Sequence, residues 1–414
     1  MALPSTTVWE CRANGNVNYG GGFNSARGGT DYTQQASPQL SLSDLFTYDY
    51  APYTLHSTAG GFTAAMVGNL IHIVSGTGFT TGWYEITART SSTVVTVDRA
   101  MVVSGTASGG TGYVGGAVTL STAVLNATTP GNTVYLRAGS YSYHNETDSV
   151  NWSGINLLGY SSVRGDEPVG DDRPLITTGH LVLHGWLSHV RVTGSILLGG
   201  SSTGSSLVDY KQPVRNCAFD ANGQYYACQY WGTEAIFIDC AFAAVGAIGL
   251  WLGGTKNFIH GCYFHDCARG LEACLDFSTV EFSVFDTCSV AGCQVDFHGW
   301  YSNFLTNTFF SCGKALYFTE VAPTIGPSVI LNNIFSNNSY AVYRTGSFES
   351  DDPQDFVDYN NWWANAHDVT NVTKGTHDTA VDPEFTDAAG GDFSLATGSS
   401  CIGAAFSIRL GVGS

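Results

Sequence analysis

Five side chains near the middle and late part of the sequence have the types and spacing for acid–base chemistry: Glu272, Asp276, Asp296, His298 and Glu320. Asp296 and His298 are two apart, so on an extended strand they share a face. Glu272 and Glu320 stand about one repeat to either side of them. Paired carboxylates, or a carboxylate beside an imidazole, suit glycosidic cleavage, in which one group protonates the leaving oxygen and the other activates water or attacks. Trp251, Tyr317 and Tyr343 recur close by and offer flat faces on which sugar rings can stack. A plainer need explains the same residues. An outward strand face must be polar to stay soluble, and a chain with 34 acidic residues sets some of them on adjacent repeats by chance. The expectation is therefore a solvated face to which no catalytic role is assigned, with a glycan-cleaving site as the alternative.

Whatever these groups do, they are placed by a repeat. A phenylalanine inside a short apolar strand returns as Phe219, Phe242, Phe264, Phe285, Phe309 and Phe335, at spacings of 21 to 26 residues. Periods of that length indicate a solenoid. Cys217, Cys240 and Cys262 each precede an anchor by two residues, and Cys267, Cys288 and Cys312 each follow one by three. Equivalent residues of stacked coils lie about 4.8 Å apart, so each set should form an internal ladder of reduced thiols acting as small hydrophobes. After each anchor comes a small-residue bend and a second strand, in which Leu250, Leu271, Cys293, Leu316 and Val342 alternate with Trp251, Glu272, Gln294, Tyr317 and Tyr343. If the first set faces in, the second forms one exposed row. Asn332-Asn333 and Asn337-Asn338 fit the turns of a late coil, since Asn tolerates left-handed backbone and caps neighbouring amides.

Composition agrees with such a body. Fifty glycines and only 12% charged residues describe short strands and tight turns, and 13% aromatics supply material for a core. The formal net charge of −18, with no local basic cluster, disfavours nucleic acid. It also disfavours a strongly anionic polysaccharide unless a local basic site compensates. No apolar run approaches the length of a membrane span, and no charged n-region with an apolar stretch marks a secretory signal, so the expectation is cytoplasmic synthesis. Glu349, Asp351, Asp352 and Asp355 are read as a solvated acidic turn and not a Ca²⁺ loop, because no glycine-centred loop accompanies them. No metal or other cofactor is expected. Four large aromatics in the segment Tyr225 to Trp231, namely Tyr225, Tyr226, Tyr230 and Trp231, break the coil pattern. They mark either a subunit contact, which is favoured, or a glycan-binding tip.

The segments Tyr359-Asn360-Asn361-Trp362-Trp363, Asp382-Pro383-Glu384-Phe385 and Gly391-Asp392-Phe393-Ser394-Leu395, taken with the repeats and the stretch Gly131 to Tyr141, resemble the C-terminal part of right-handed parallel β-helix (pectin-lyase-like) repeat proteins. The stretches Gly20-Gly21-Gly22-Phe23, Gly29-Thr30-Asp31-Tyr32 and Val67-Gly68-Asn69 are similar to a module found ahead of β-helices in tailed-bacteriophage structural proteins. The expected fold class is all-β: a right-handed parallel β-helix solenoid preceded by an irregular arm and a small antiparallel β module. The expected boundaries are an aromatic- and Gly-rich arm at 1–52, the β module at 53–125, the β-helix at 126–363 and a C-terminal cap at 364–414. The resemblance implies a virion protein, a capsid decoration or a short tail spike or fibre, that associates as a homotrimer with itself and with other virion proteins and touches host surface glycan. A glycan-cleaving tailspike using Glu272, Asp296 and Glu320 is the alternative. The aromatics Trp9, Tyr19, Phe23, Tyr32, Phe46, Tyr48, Tyr50 and Tyr53 are expected to bury against a partner subunit, since a solvated arm has no need of them.

Overall fold

A computed structural model describes residues 3–48, 53–127, 129–143, 155–183, 185–199, 213–296, 301–319, 327–345 and 355–404. The protein is all-β, with a parallel β-solenoid of about eight turns and a small antiparallel barrel. By compactness the chain divides into one unit of Met1–Thr177 with Leu183–Val190 and another of Thr178–Val182 with Arg191–Ser414.

The first unit contains the closed barrel Leu40–Thr47, Thr54–Ser57, Val94–Val97, Gly82–Ser91, Leu70–Thr77 and Ala107–Val114. Strand alternation turns Leu45, Leu55, Ile71, Ile73, Ile86 and Val95 inward, and all six are fully buried. The stretch 1–52 is less irregular than its glycines suggest. It provides Leu40–Thr47 to the barrel and Thr7–Cys11 to a parallel sheet, where Thr7–Cys11 pairs with Thr133–Arg137. Stacking of parallel strands thus begins at the N-terminus, well ahead of the expected start near residue 126. Thr133–Arg137 pairs in turn with Asn156–Tyr160, and that strand with Leu187–Ser188.

Of the aromatics expected to bury against a partner subunit, Trp9 and Phe23 are buried within the chain and Tyr19, Tyr32, Phe46 and Tyr53 are half-buried. Trp9 is fully buried with its ring 6.3 Å from that of Trp83. Tyr48 is 62% exposed, and Tyr50 lies outside the described residues. Trp83 stacks on His72 at 3.6 Å and donates to the Tyr19 carbonyl. Burial pushes the pKa of His72 down to about 4, so the ring is neutral at pH 7 and stacks as an uncharged plane. Glu10, also on the first strand, has no exposed surface and is held by Arg164, at 2.7 Å, and Arg12, at 3.4 Å. Arg164 continues to Asp31 at 2.6 Å and covers the Tyr135 ring.

In the second unit the coils follow one plan of three short strands. One coil consists of Ile236–Ile238, Ala241–Ala243 and Ile248–Leu252, and the next of Phe258–His260, Tyr263–His265 and Arg269–Ala273. Each strand pairs in parallel and in register with its equivalent one coil on. The phenylalanine anchors form a continuous stack. Centroids lie 5.1 Å apart from Phe219 to Phe242, 4.8 Å from Phe242 to Phe264, 4.7 Å at Phe264–Phe285 and at Phe285–Phe309, and 5.1 Å from Phe309 to Phe335. Trp362 extends it at 4.7 Å, an anchor the sequence hid by changing residue type. Gly249, Gly270 and Gly292 line this stack, and a Cβ at Gly270 would lie 2.9 Å from Phe264 and 3.0 Å from Phe285.

The cysteine ladders are present. Cys217, Cys240, Cys262, Cys267, Cys288 and Cys312 are free and buried. Burial raises the pKa of two other internal thiols, Cys228 and Cys293, above the ordinary range, which keeps them protonated. Further along, asparagine takes the cysteine positions. The Asn307 amide donates to Asn333 Oδ1 and the Asn333 amide to Asn360 Oδ1, each at 2.9 Å. Asn332 and Asn337, immediately before the inward asparagines, adopt left-handed φ of 60° and 59°.

The C-terminal segment closes the stack in part. Asn361 donates to the Val381 carbonyl and the Trp362 amide to that of Thr379, so the chain near residue 380 covers the last coil. The hairpin Phe385–Asp387 with Asp392–Leu395 instead lies along the side, where Phe385 and Phe393 pack on Phe310.

Candidate functional site

The third strand of each coil builds the row expected to be exposed, whose members are half-buried and, at Gln294, buried. Register aligns Gln229, Trp251, Glu272, Gln294, Tyr317, Tyr343 and Thr370 on successive coils. Their neighbours Cys228, Leu250, Leu271, Cys293, Leu316 and Val342 are buried. The expected alternation is therefore the observed one.

The segment Tyr225 to Trp231, expected to interrupt the coil pattern, is itself mostly a third strand, Tyr226–Trp231, in register with Ile248–Leu252. Cys228 faces the core there. Tyr225 and Trp231 are exposed, and the Trp231 ring lies 4.5 Å from that of Trp251. Tyr226 meets Trp251 edge-on at 6.3 Å. Gly253 leaves room for the Trp251 ring, which a Cβ at that position would touch at 2.6 Å. Tyr226, Trp231 and Trp251 therefore form one aromatic cluster on this face.

The next coils carry the charged groups. Arg269 Nε lies 3.3 Å from Glu272 and donates to Gln294 Oε1 at 2.7 Å. Gln294 Nε2 donates to both Asp296 oxygens, at 3.0 and 3.2 Å, and the Thr319 hydroxyl donates to Asp296 at 2.6 Å. Partial burial raises the Glu272 pKa, an effect that Arg269 opposes and the Asp296 charge reinforces. Glu272, its pKa raised by partial burial, thus stands near Asp296, which is fixed by two donors. Asp276 falls in the turn after its strand and outside the row, and His298 and Glu320 lie outside the described residues.

Beyond Gln294 the face becomes aromatic again. Tyr317 and Tyr343 are 5.7 Å apart, and Lys314 Nζ sits 4.3 Å and 5.2 Å from their centroids. Tyr340 lies edge-on to Tyr343 and stacks on His367 at 4.6 Å. Sequence reasoning passed over Arg269, Lys314, Tyr340 and His367. They share a column three residues before the row, Tyr226, Ile248, Arg269, Ala291, Lys314, Tyr340 and His367, and simple alternation assigns that column to the inward face, where Ile248 and Ala291 are indeed buried.

Glu349, Asp351 and Asp352 are outside the described residues, and Asp355 is not solvated as expected. It forms an ion pair with Arg344 at 2.7 Å, both side chains 3% exposed. Among the described residues no group of three or more His, Cys, Asp or Glu is placed to hold a metal ion, and no helix is long and apolar enough to cross a membrane.

A stacked, in-register set of three-strand coils with one polar and aromatic outer face defines a parallel β-helix. Residues 188–368 match a family model described as a right-handed β-helix region. No curated protein matches the chain in sequence. Among solved structures the chain is similar to XylC in complex with xylose, at 9% identity and a TM-score of 0.33, over 73% of this chain and 61% of that one. It is similar to the mannuronan C-5 epimerase AlgE4 A-module of Azotobacter vinelandii at 13% identity and a TM-score of 0.25, over 60% of this chain and 91% of that one. It is also similar to the tailspike gp61 of Pseudomonas phage phi297 at 11% identity and a TM-score of 0.21, over 73% and 62%. The chain thus spans less than two thirds of the first and the last of these proteins.

Proposed function

We propose that this chain is a non-enzymatic structural protein of a tailed-phage virion surface, a capsid decoration or short tail spike or fibre, and that the third-strand face of its β-helix holds a host glycan. The observation that carries the glycan reading is the in-register row Trp251, Glu272, Gln294, Tyr317 and Tyr343. Aromatic planes bracket a hydrogen-bonding stretch, which matches the apolar faces and hydroxyl rims of a sugar chain. The phage setting and threefold self-association are what the N-terminal sequence resemblance implies. Tyr226 and Trp231 are read as part of the glycan face, because their rings meet Trp251 there.

Cleavage is a second reading, favoured by Glu272, whose raised pKa suits a general acid, with Asp296 as the base. Against it, both carboxylates are already engaged, Glu272 by Arg269 and Asp296 by Gln294 and Thr319. Purified protein incubated with bacterial surface polysaccharide is expected to release no new reducing ends or unsaturated products, and Glu272→Gln and Asp296→Asn to behave alike. Release by the unmodified protein that either substitution abolishes, with the fold retained, would make the protein a depolymerase.

A further inference from the structure

The two cations on the third-strand face are used differently. The Arg269 guanidinium is shared between Glu272 and Gln294. Lys314, two coils further along the same column, forms no ion pair among the described residues, and its contacts are with the Tyr317 and Tyr343 rings. Lysine is rare in this sequence, and the chain's net charge is −18. An ammonium with no carboxylate partner among the described residues, half-buried over two aromatic rings, is an uncommon placement in so acidic a chain. We propose that Lys314 with Tyr317, Tyr343 and Tyr340 forms a subsite for an anionic substituent of the bound glycan, a carboxylate, sulfate or phosphate. This rests on the glycan reading above and names the class of sugar the face selects.

Cation–π contact with two rings holds the ammonium on the sheet face while its outer hydrogens stay available to an acceptor. Tyr340, stacked on His367, gives a flat surface beside it for the sugar that bears the charge. Electrostatics make the local cation necessary. The field of an acidic protein repels an anionic polymer at a distance, so such a ligand is retained only where a fixed positive charge meets it at short range. Lysine suits this role as a compact point charge that accepts any of the three anions. In the ordinary alternative the Lys314 stem only covers aromatic surface while its head is solvated, which predicts no preference between charged and neutral ligands.

The test uses the full chain and three families of hexose oligosaccharide, one bearing uronate carboxylates, one sulfated and one phosphorylated, each beside its neutral counterpart. The protein is expected to bind at least one charged probe about tenfold more tightly than its neutral partner, and to lose that preference as salt rises. Lys314→Met is expected to bring the ratio near one, and Lys314→Arg to preserve it. The family showing the preference identifies the anion. Equal binding of charged and neutral probes by the unmodified protein, or a preference that survives Lys314→Met, overturns this inference and leaves the glycan reading standing. Failure to bind any probe overturns both.

Discussion

Replacing Phe285 by alanine is expected to lower the stability of the protein by about 3–5 kcal/mol, the range for removing a large buried aromatic side chain. The ring is fully buried and lies 4.7 Å from Phe264 on one side and 4.7 Å from Phe309 on the other. Gly270 and Gly292 pack against the same stack through backbone, which cannot move in to fill the space without breaking strand register. In a solenoid each coil is supported only by its neighbours, so a cavity at mid-stack weakens two interfaces at once. Phe282 provides the control, because it is 56% exposed and its loss is expected to cost less than about 0.5 kcal/mol. Urea denaturation of the two variants checks the contrast. Equal, small losses would show that the rings do not form the continuous stack described.

Arg164→Met is expected to destabilise the protein by about 3–5 kcal/mol, for an electrostatic reason. Arg164 is the closest cation to Glu10, and Glu10 has no exposed surface. Without Arg164 the carboxylate keeps, among the described residues, Arg12 at 3.4 Å and the Tyr160 hydroxyl, while Asp31 loses its cation and retains the Thr33 amide and hydroxyl. Most of the cost comes from a buried charge left uncompensated. Removing both charges with Glu10→Gln and Arg164→Met should therefore recover much of what the single change loses. A double variant as unstable as the sum of the two single variants would mean that Arg164 acts by packing over Tyr135 alone.

Most of the solenoid was legible because its rules are local and repeated. Phenylalanine spacing located the stack, and strand alternation located the row from Trp251 to Tyr343. Where residue type changed at a fixed position the signal faded. Trp362 continues the phenylalanine stack, and Asn307, Asn333 and Asn360 continue the cysteine positions, yet each reads differently by eye. Tyr225 to Trp231 looked irregular for the same reason, since Tyr230 takes a place that Leu252 fills one coil later. The place of Thr7–Cys11 in the stack was invisible because, although one edge pairs locally with Gly22–Asn24, the parallel partner on the other edge lies more than a hundred residues away, and no local pattern encodes a pairing of that range. The column of Arg269, Lys314 and Tyr340 stood outside that alternation, because each residue is two before an inward one and would be assigned to the core. The contrast between Arg269, paired with Glu272, and Lys314, which has no ion pair among the described residues, depends on side-chain conformation and left no mark in the sequence.

The central claim is that the face marked by Trp251 binds a glycan, and the most direct measurement is calorimetric titration of purified host surface polysaccharide into the full chain and its Trp251→Ala variant. Loss of the stacking plane is expected to weaken binding at least about tenfold. Tyr48→Ala, an equally simple truncation of a tyrosine 62% exposed on the barrel, is expected to leave binding unchanged. Equal binding by the Trp251→Ala variant and the unmodified protein would contradict the account.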